Sequence, residues 1–174
     1  MVAEYVVRRA TVGDATAIAS VHHRAWGESY RGIVPDDVLD ARAPVEKRTL
    51  IWARYLERNA GFVAVACTTE GEVAGFLSCG VAEPHTGADC EVQAIYVLDA
   101  HKRRGIGRKL LRAGLDHLRN QAGETVGLWV LDANEAACRF YEALGWRAGE
   151  VRTDSRNLKL RAYYRSLTEP FPAD

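Results

Sequence analysis

The sequence predicts a single domain of mixed α/β class, and three observations carry that prediction. Hydrophobic residues fill 48% of 174 positions, enough for one sizeable core near the usual size of a single domain. Strand-like and helix-like segments alternate along the chain instead of falling into separate blocks. Past mid-chain the apolar period switches abruptly from strand to helix at Gly105, with polar and glycine-bearing turns between the segments.

Taken in order, Tyr5-Val6-Val7-Arg8 reads as a strand, and Asp14 is placed to cap a helix whose apolar positions Ile18, Val21, Ala25 and Trp26 recur at helical spacing. A polar stretch with Gly32 and Pro35 leads to a second helix over 45–59, marked by Leu50, Ile51, Tyr55 and Leu56. Residues 62–67 and 73–81 form a hairpin about Glu70-Gly71, and 91–98 supplies the next strand. Ile106, Leu110, Leu111, Leu115 and Leu118 mark one face of a helix that ends near Gly123. A strand over 126–131, a helix over 134–144 stopped by Gly145, and a closing pair over 146–153 and 158–164 complete the domain. The domain is expected over 1–168; Pro170 and Pro172 make 169–174 a loose tail.

Charge and composition exclude several function classes. The 23 basic and 23 acidic residues cancel, so no global attraction to nucleic acid or membrane is expected. No run approaches the ~18 apolar residues of a membrane span, and the N-terminal residues lack an export pattern. Cys67, Cys79, Cys90 and Cys138 are scattered, which signals neither a metal site nor a disulfide framework and suits a cytoplasmic location.

The most informative segment runs from Ile95 to Leu111, where a strand passes through the basic turn Lys102-Arg103-Arg104-Gly105-Ile106-Gly107-Arg108 into an amphipathic helix. The first amides of a helix have no internal partner and sit at the positive end of its dipole, so they bind phosphate. Gly105 and Gly107 admit a close ligand, and the surrounding Lys and Arg raise the local potential. A P-loop is excluded because no glycine here precedes Lys and then Ser or Thr. A dinucleotide fingerprint fails at its third glycine, where Leu110 stands. An ordinary charged helix start is the competing reading.

The 102–107 segment resembles the coenzyme A pyrophosphate loop of the GCN5-related N-acetyltransferase (GNAT) superfamily, [QR]-x-x-G-x-[GA], departing from it only in Lys102 at the first position. Farther on, Asn134 to Trp146 resembles the same superfamily's N-x-x-A-x-x-[FL]-Y-E-x-x-G-[FW] helix, in the right order and separation. The resemblance implies a mostly antiparallel central sheet with one parallel, splayed pair of strands, flanked by helices. It further implies acetyl-CoA as cofactor, transfer to an amine without a covalent acyl-enzyme, and homodimers as a common assembly.

By the same resemblance, Ile95, Tyr96 and Val97 pair their free main-chain groups with the pantetheine arm, and an N–H at Tyr96 or Val97 serves as oxyanion donor. Residues 102–108 hold the diphosphate, Asn134 contacts the coenzyme A arm, and Tyr141 lies near the sulfur as its proton donor. Glu91 resembles the carboxylate that acts through water as base. Trp26, Glu28 and Tyr30 lie where the family places its acceptor-binding helix and loop. From the residues alone, Asn134 is also a good helix N-cap, Tyr141 a packed aromatic and Glu91 an ordinary strand-end carboxylate. The acceptor expected is a small-molecule amine. A protein lysine or N-terminal acetyltransferase and a non-catalytic coenzyme A-binding module are the alternatives, and nucleic acid, membrane and metal are not expected.

Overall fold

The apolar face formed by Ile106, Leu110, Leu111, Leu115 and Leu118 is buried in full, at 2% exposure or less, because helix α4 (Ile106–Arg119) lies along a central sheet. Each such side chain removed from water contributes roughly 1.5–3 kcal/mol. The computed structural model describes residues 4–121 and 123–172. Its sheet has seven strands: β1 (Val6–Arg9), β2 (Phe62–Cys67), β3 (Val73–Val81), β4 (Cys90–Val97), β5 (Thr125–Leu131), β6 (Arg147–Thr153) and β7 (Lys159–Ser166). They lie in the order β1-β2-β3-β4-β5-β7-β6. Every neighbouring pair is antiparallel except β4–β5, which α4 connects as a parallel crossover. The predicted mixed class and its single parallel pair are both present.

Helices α1 (Ala15–Tyr30) and α3 (Val45–Glu57) cover one face of β2–β4 through Ile18, Val21, Ala25, Trp52 and Phe76. On the opposite face α4 packs with α5 (Glu135–Ala143) over Leu77, Cys79, Leu128 and Tyr163. A smaller cluster of Val34, Leu39, Leu131 and Leu158 seats the α1–α3 connection against the end of β5.

Two local details differ from the pattern read in the sequence. The Asp14 side chain does not cap α1 forward; it turns back to accept from the Thr11 amide at 2.7 Å and forms a bidentate pair with Arg8 at 2.8 and 2.7 Å. The Arg8 hydrogen bonds hold its carboxyl down to about 2. The polar stretch after Gly32 contains a further short helix, α2 (Asp36–Asp40), started by Pro35 and by two carboxylates at its positive end. Five residues are too few to display a helical period, which explains why none is legible there.

Residues 169–172 of the expected loose tail take no regular structure, yet the main chain there is held by arginines. Arg119 donates to the carbonyl of Glu169 at 3.0 Å, Arg165 to that of Pro170 at 2.6 Å and Arg108 to that of Pro172. Residues 173–174 lie outside the described residues. Among the described residues, no helix is long and apolar enough to cross a membrane.

Candidate active site

The site begins with a fault in β4. Across from β3, Ala94 faces Ser78 and Val92 faces Cys79, so Gln93 is an extra residue in the ladder. Its side chain is tied down, accepting from Tyr55 Oη at 2.8 Å and from Ser78 Oγ at 3.1 Å. A bulge bends the strand that carries it. Accordingly β4 pairs with β5 only at Cys90↔Val126 and Glu91↔Gly127, after which the two strands part. Ile95, Tyr96 and Val97 line the resulting gap with main chain that has no strand neighbour on the β5 side.

Beyond β4 the turn is fastened to the end of α1. Glu28 accepts from the Asp99 amide at 2.9 Å, and Lys102 Nζ reaches Ser29 Oγ at 3.2 Å and Asp99 at 2.5 Å. Arg103 (φ 59°) and Gly105 (φ 75°) are both left-handed, and Gly105 starts α4. A left-handed N-cap costs glycine nothing, and a Cβ built there would meet nothing within 4 Å. Among the described residues, no acceptor takes the amides of Gly105, Ile106 or Gly107, and Arg103 and Arg104 are exposed. An open, positively charged helix start therefore faces solvent next to the gap, the arrangement that accommodates a diphosphate. Gly107 serves a different need, because a Cβ there would lie 3.2 Å from the Phe140 ring of α5.

The far wall of the gap is α5. Asn134 caps it, accepting from the Ala137 amide at 3.2 Å. In its last turn Tyr141 is 7% exposed, with its ring against Phe140, Trp146 and Tyr163 at 5.3–5.8 Å between centroids. Burial first, then the neighbouring Tyr30 and Cys138, push the Tyr141 hydroxyl well above its ordinary value, so it holds its proton at neutral pH. Tyr96 and Tyr30 are raised by burial in the same way, and their hydroxyls interact with each other. Three tyrosines from β4, α1 and α5 thus converge where the strands part.

On the acceptor side, Trp26 packs edge-on against Tyr30 at 4.9 Å, and His22 stacks on Tyr96 at 5.0 Å. Behind them is a cavity of about 490 Å³ lined by His22, Trp26, Val38, Arg42, Arg48 and Arg156 among others. Trp52 donates to His22 Nδ1 at 3.4 Å, and Arg48 approaches the same nitrogen at 3.2 Å. Burial first, then Arg48 and His23, push the His22 imidazole down to about 3.

The structure thus brings together the β4 edge, the α4 start, Tyr141, Tyr30 and Trp26. Other singled-out residues are directed elsewhere. Arg108 faces the C-terminal segment, with its guanidinium 5.4 Å from the Phe171 ring. The Glu28 carboxylate is spent on Asp99 and on Arg24 at 3.8 Å. Glu91, 8% exposed, accepts from Thr86 Oγ1 at 2.7 Å and from the Glu83 amide at 3.2 Å, bonds that hold the β3–β4 loop. It lies at the closed end of the gap, five residues and so roughly 16 Å along the strand from Tyr96 at ~3.3 Å per residue. Sequence reasoning missed Arg42 and Arg48, which no local motif marks because the cavity draws on separate helices and a distant turn.

The profile described as "Acetyltransferase (GNAT) family" matches residues 21–146. An uncharacterized N-acetyltransferase of Bacillus subtilis, YuaI, is 33% identical over 138 residues, which is 79% of this chain and 77% of that protein. The Escherichia coli L-amino acid N-acyltransferase MnaT is 27% identical over 144 residues, covering 80% of this chain and 78% of that one. Among solved structures, that of yncA, a putative acetyltransferase from Salmonella typhimurium with its cofactor acetyl-CoA, superposes with a TM-score of 0.71. It covers 98% of each chain at 22% identity.

Proposed function

The chain belongs to the GNAT acetyltransferase family and uses acetyl-CoA, and from that premise we propose that it transfers the acetyl group to the primary amine of a small molecule by direct attack in a ternary complex. The observation that carries this reading is the convergence at the open gap of a strand edge, an uncovered helix start and a proton-holding tyrosine. When bound, acetyl-CoA supplies an acetyl group already activated as a thioester. Gly105, Ile106 and Gly107 offer main-chain amides and the α4 dipole to its diphosphate. Ile95–Val97 offer an unpaired edge to its pantetheine arm, as to an added strand. An N–H at Tyr96 or Val97 stabilises the negative charge that grows on the carbonyl oxygen. Tyr141 donates its proton to the departing sulfur. Asn134 has its amide oxygen engaged in the helix cap, which leaves its NH2 group to the coenzyme A arm.

The acceptor must arrive neutral. His22 is unsuited as its base, since its Nδ1 is already an acceptor and its pKa is depressed. Glu91 is distant and hydrogen-bonded, so the ammonium loses its proton to water. A cavity of about 490 Å³ is of the size that holds a small acceptor. MnaT, named for L-amino acid acylation, supports the same choice.

Thiol release from acetyl-CoA with a panel of primary amines tests the reading. Wild-type chain is expected to turn over at least one small amine, and Tyr141→Phe to lose ~100-fold in kcat with coenzyme A affinity kept. A Tyr141→Phe enzyme of full activity would deprive the sulfur of its assigned acid.

A further inference from the structure

The cavity behind Tyr96 holds more positive charge than the fold uses. Arg42, Arg48 and Arg156 line it against one carboxylate, Asp37. Arg156 is paired with Asp154 at 2.7 Å, whereas neither Arg42 nor Arg48 has an ion-pair partner among the described residues. The Nε–H groups of Arg42 and Arg48 are also buried without an acceptor there. Arg48 lies beside neutral His22, and burial followed by repulsion from Arg42 opposes its charge. Two partly desolvated guanidinium groups without a counter-ion are a costly arrangement unless an anion arrives.

Arg42 is also placed with care. Its Nη1 donates to the His23 carbonyl at 3.1 Å and its guanidinium sits 5.7 Å from the Trp26 ring. The neighbouring residue 27 is glycine; a Cβ there would lie 2.6 Å from Arg42 Nη1, so the guanidinium would have to shift to make room.

We propose that this cavity binds a carboxylate of the acceptor through Arg42 and Arg48, making the substrate a compact molecule that carries a primary amine and a carboxylate together, as an amino acid does. The proposal rests on the acetyl-transfer reading above. His22 and Trp26 line the cavity together with the arginines and pack on Tyr96 and Tyr30, so a short acceptor anchored there by its carboxylate presents its amine toward the tyrosines of the gap. Arginine suits this task because its planar fork pairs with both carboxylate oxygens.

The test compares L-amino acids with their amides, with the corresponding decarboxylated amines and with aminoalkyl phosphonates, in thiol-release assays on the full chain. Acetyl-CoA binding is measured separately by calorimetry. The expected result is turnover of amino acids, with KM raised ~10-fold or more in Arg42→Ala and in Gly27→Ala while kcat and acetyl-CoA affinity change little. Gly27→Ala adds a helix-favouring residue, so an unchanged or higher Tm with a raised KM separates loss of the arginine's position from loss of fold. Equal use of the amides or decarboxylated amines, preference for phosphonates, unchanged KM in both variants, or no turnover of amino acids by a chain that binds acetyl-CoA would overturn the carboxylate assignment alone. Failure to bind acetyl-CoA would overturn the enzyme reading beneath it.

Discussion

Glu91, at the closed end of the gap, and His22, beside Tyr96, each have a structural use visible in their contacts. The Glu91 carboxylate anchors the β3–β4 loop through Thr86 and Glu83. Glu91→Gln keeps the shape of the side chain, so turnover is expected to stay at the wild-type level with a lowered thermal midpoint; a general base would instead lose ~10²–10⁴-fold in rate. His22 faces Arg48, His23, Trp52 and Tyr96, and its pKa falls from 6.5 to about 3 on folding. Between those values the unfolded chain binds a proton that the folded chain refuses. The associated stability is therefore complete above pH 6.5 and lost as pH drops toward 3. Thermal melts from pH 7 to pH 4 should decline, and His22→Gln should flatten that decline; an identical slope in the variant would contradict the assignment. At this scale the sequence is legible only where a motif is contiguous: Tyr141 and Asn134 share one helix pattern, but Arg42 meets Trp26 only in the folded chain.

Along elements, period and punctuation carry most of the fold. Helix α4 is readable because its five apolar positions repeat at 3.6-residue spacing over fourteen residues. The β4 bulge is not readable, since nothing near Gln93 announces it and its anchors, Tyr55 and Ser78, come from other elements. Gly105 and Gly107 look equivalent in the sequence, yet the structure separates them into a left-handed turn open to ligand and a contact surface for α5. A larger residue at 107 must push the Phe140 ring aside. Gly107→Val is therefore expected to lower the thermal midpoint by roughly 3–8 °C, from an overpacking cost of ~1–3 kcal/mol. An unchanged midpoint by calorimetry would show that the α4–α5 contact yields freely.

For the whole molecule, alternation of strand and helix specified the class, while the splay of β4 from β5 depends on how a bulge, a crossover helix and the α1–α3 layer fit together. The residues of the gap come from β4, α1, α4 and α5, so their juxtaposition follows from the sheet order. The central claim is that uncovered main-chain amides at the start of α4, beside the open edge of β4, form the coenzyme A site. Titration of ¹⁵N-labelled chain with coenzyme A, read by amide chemical shifts, examines those atoms directly. The largest shifts should fall on Gly105, Ile106 and Gly107 and on Ile95 to Val97. Binding that leaves those six amides unmoved while others shift would contradict the account.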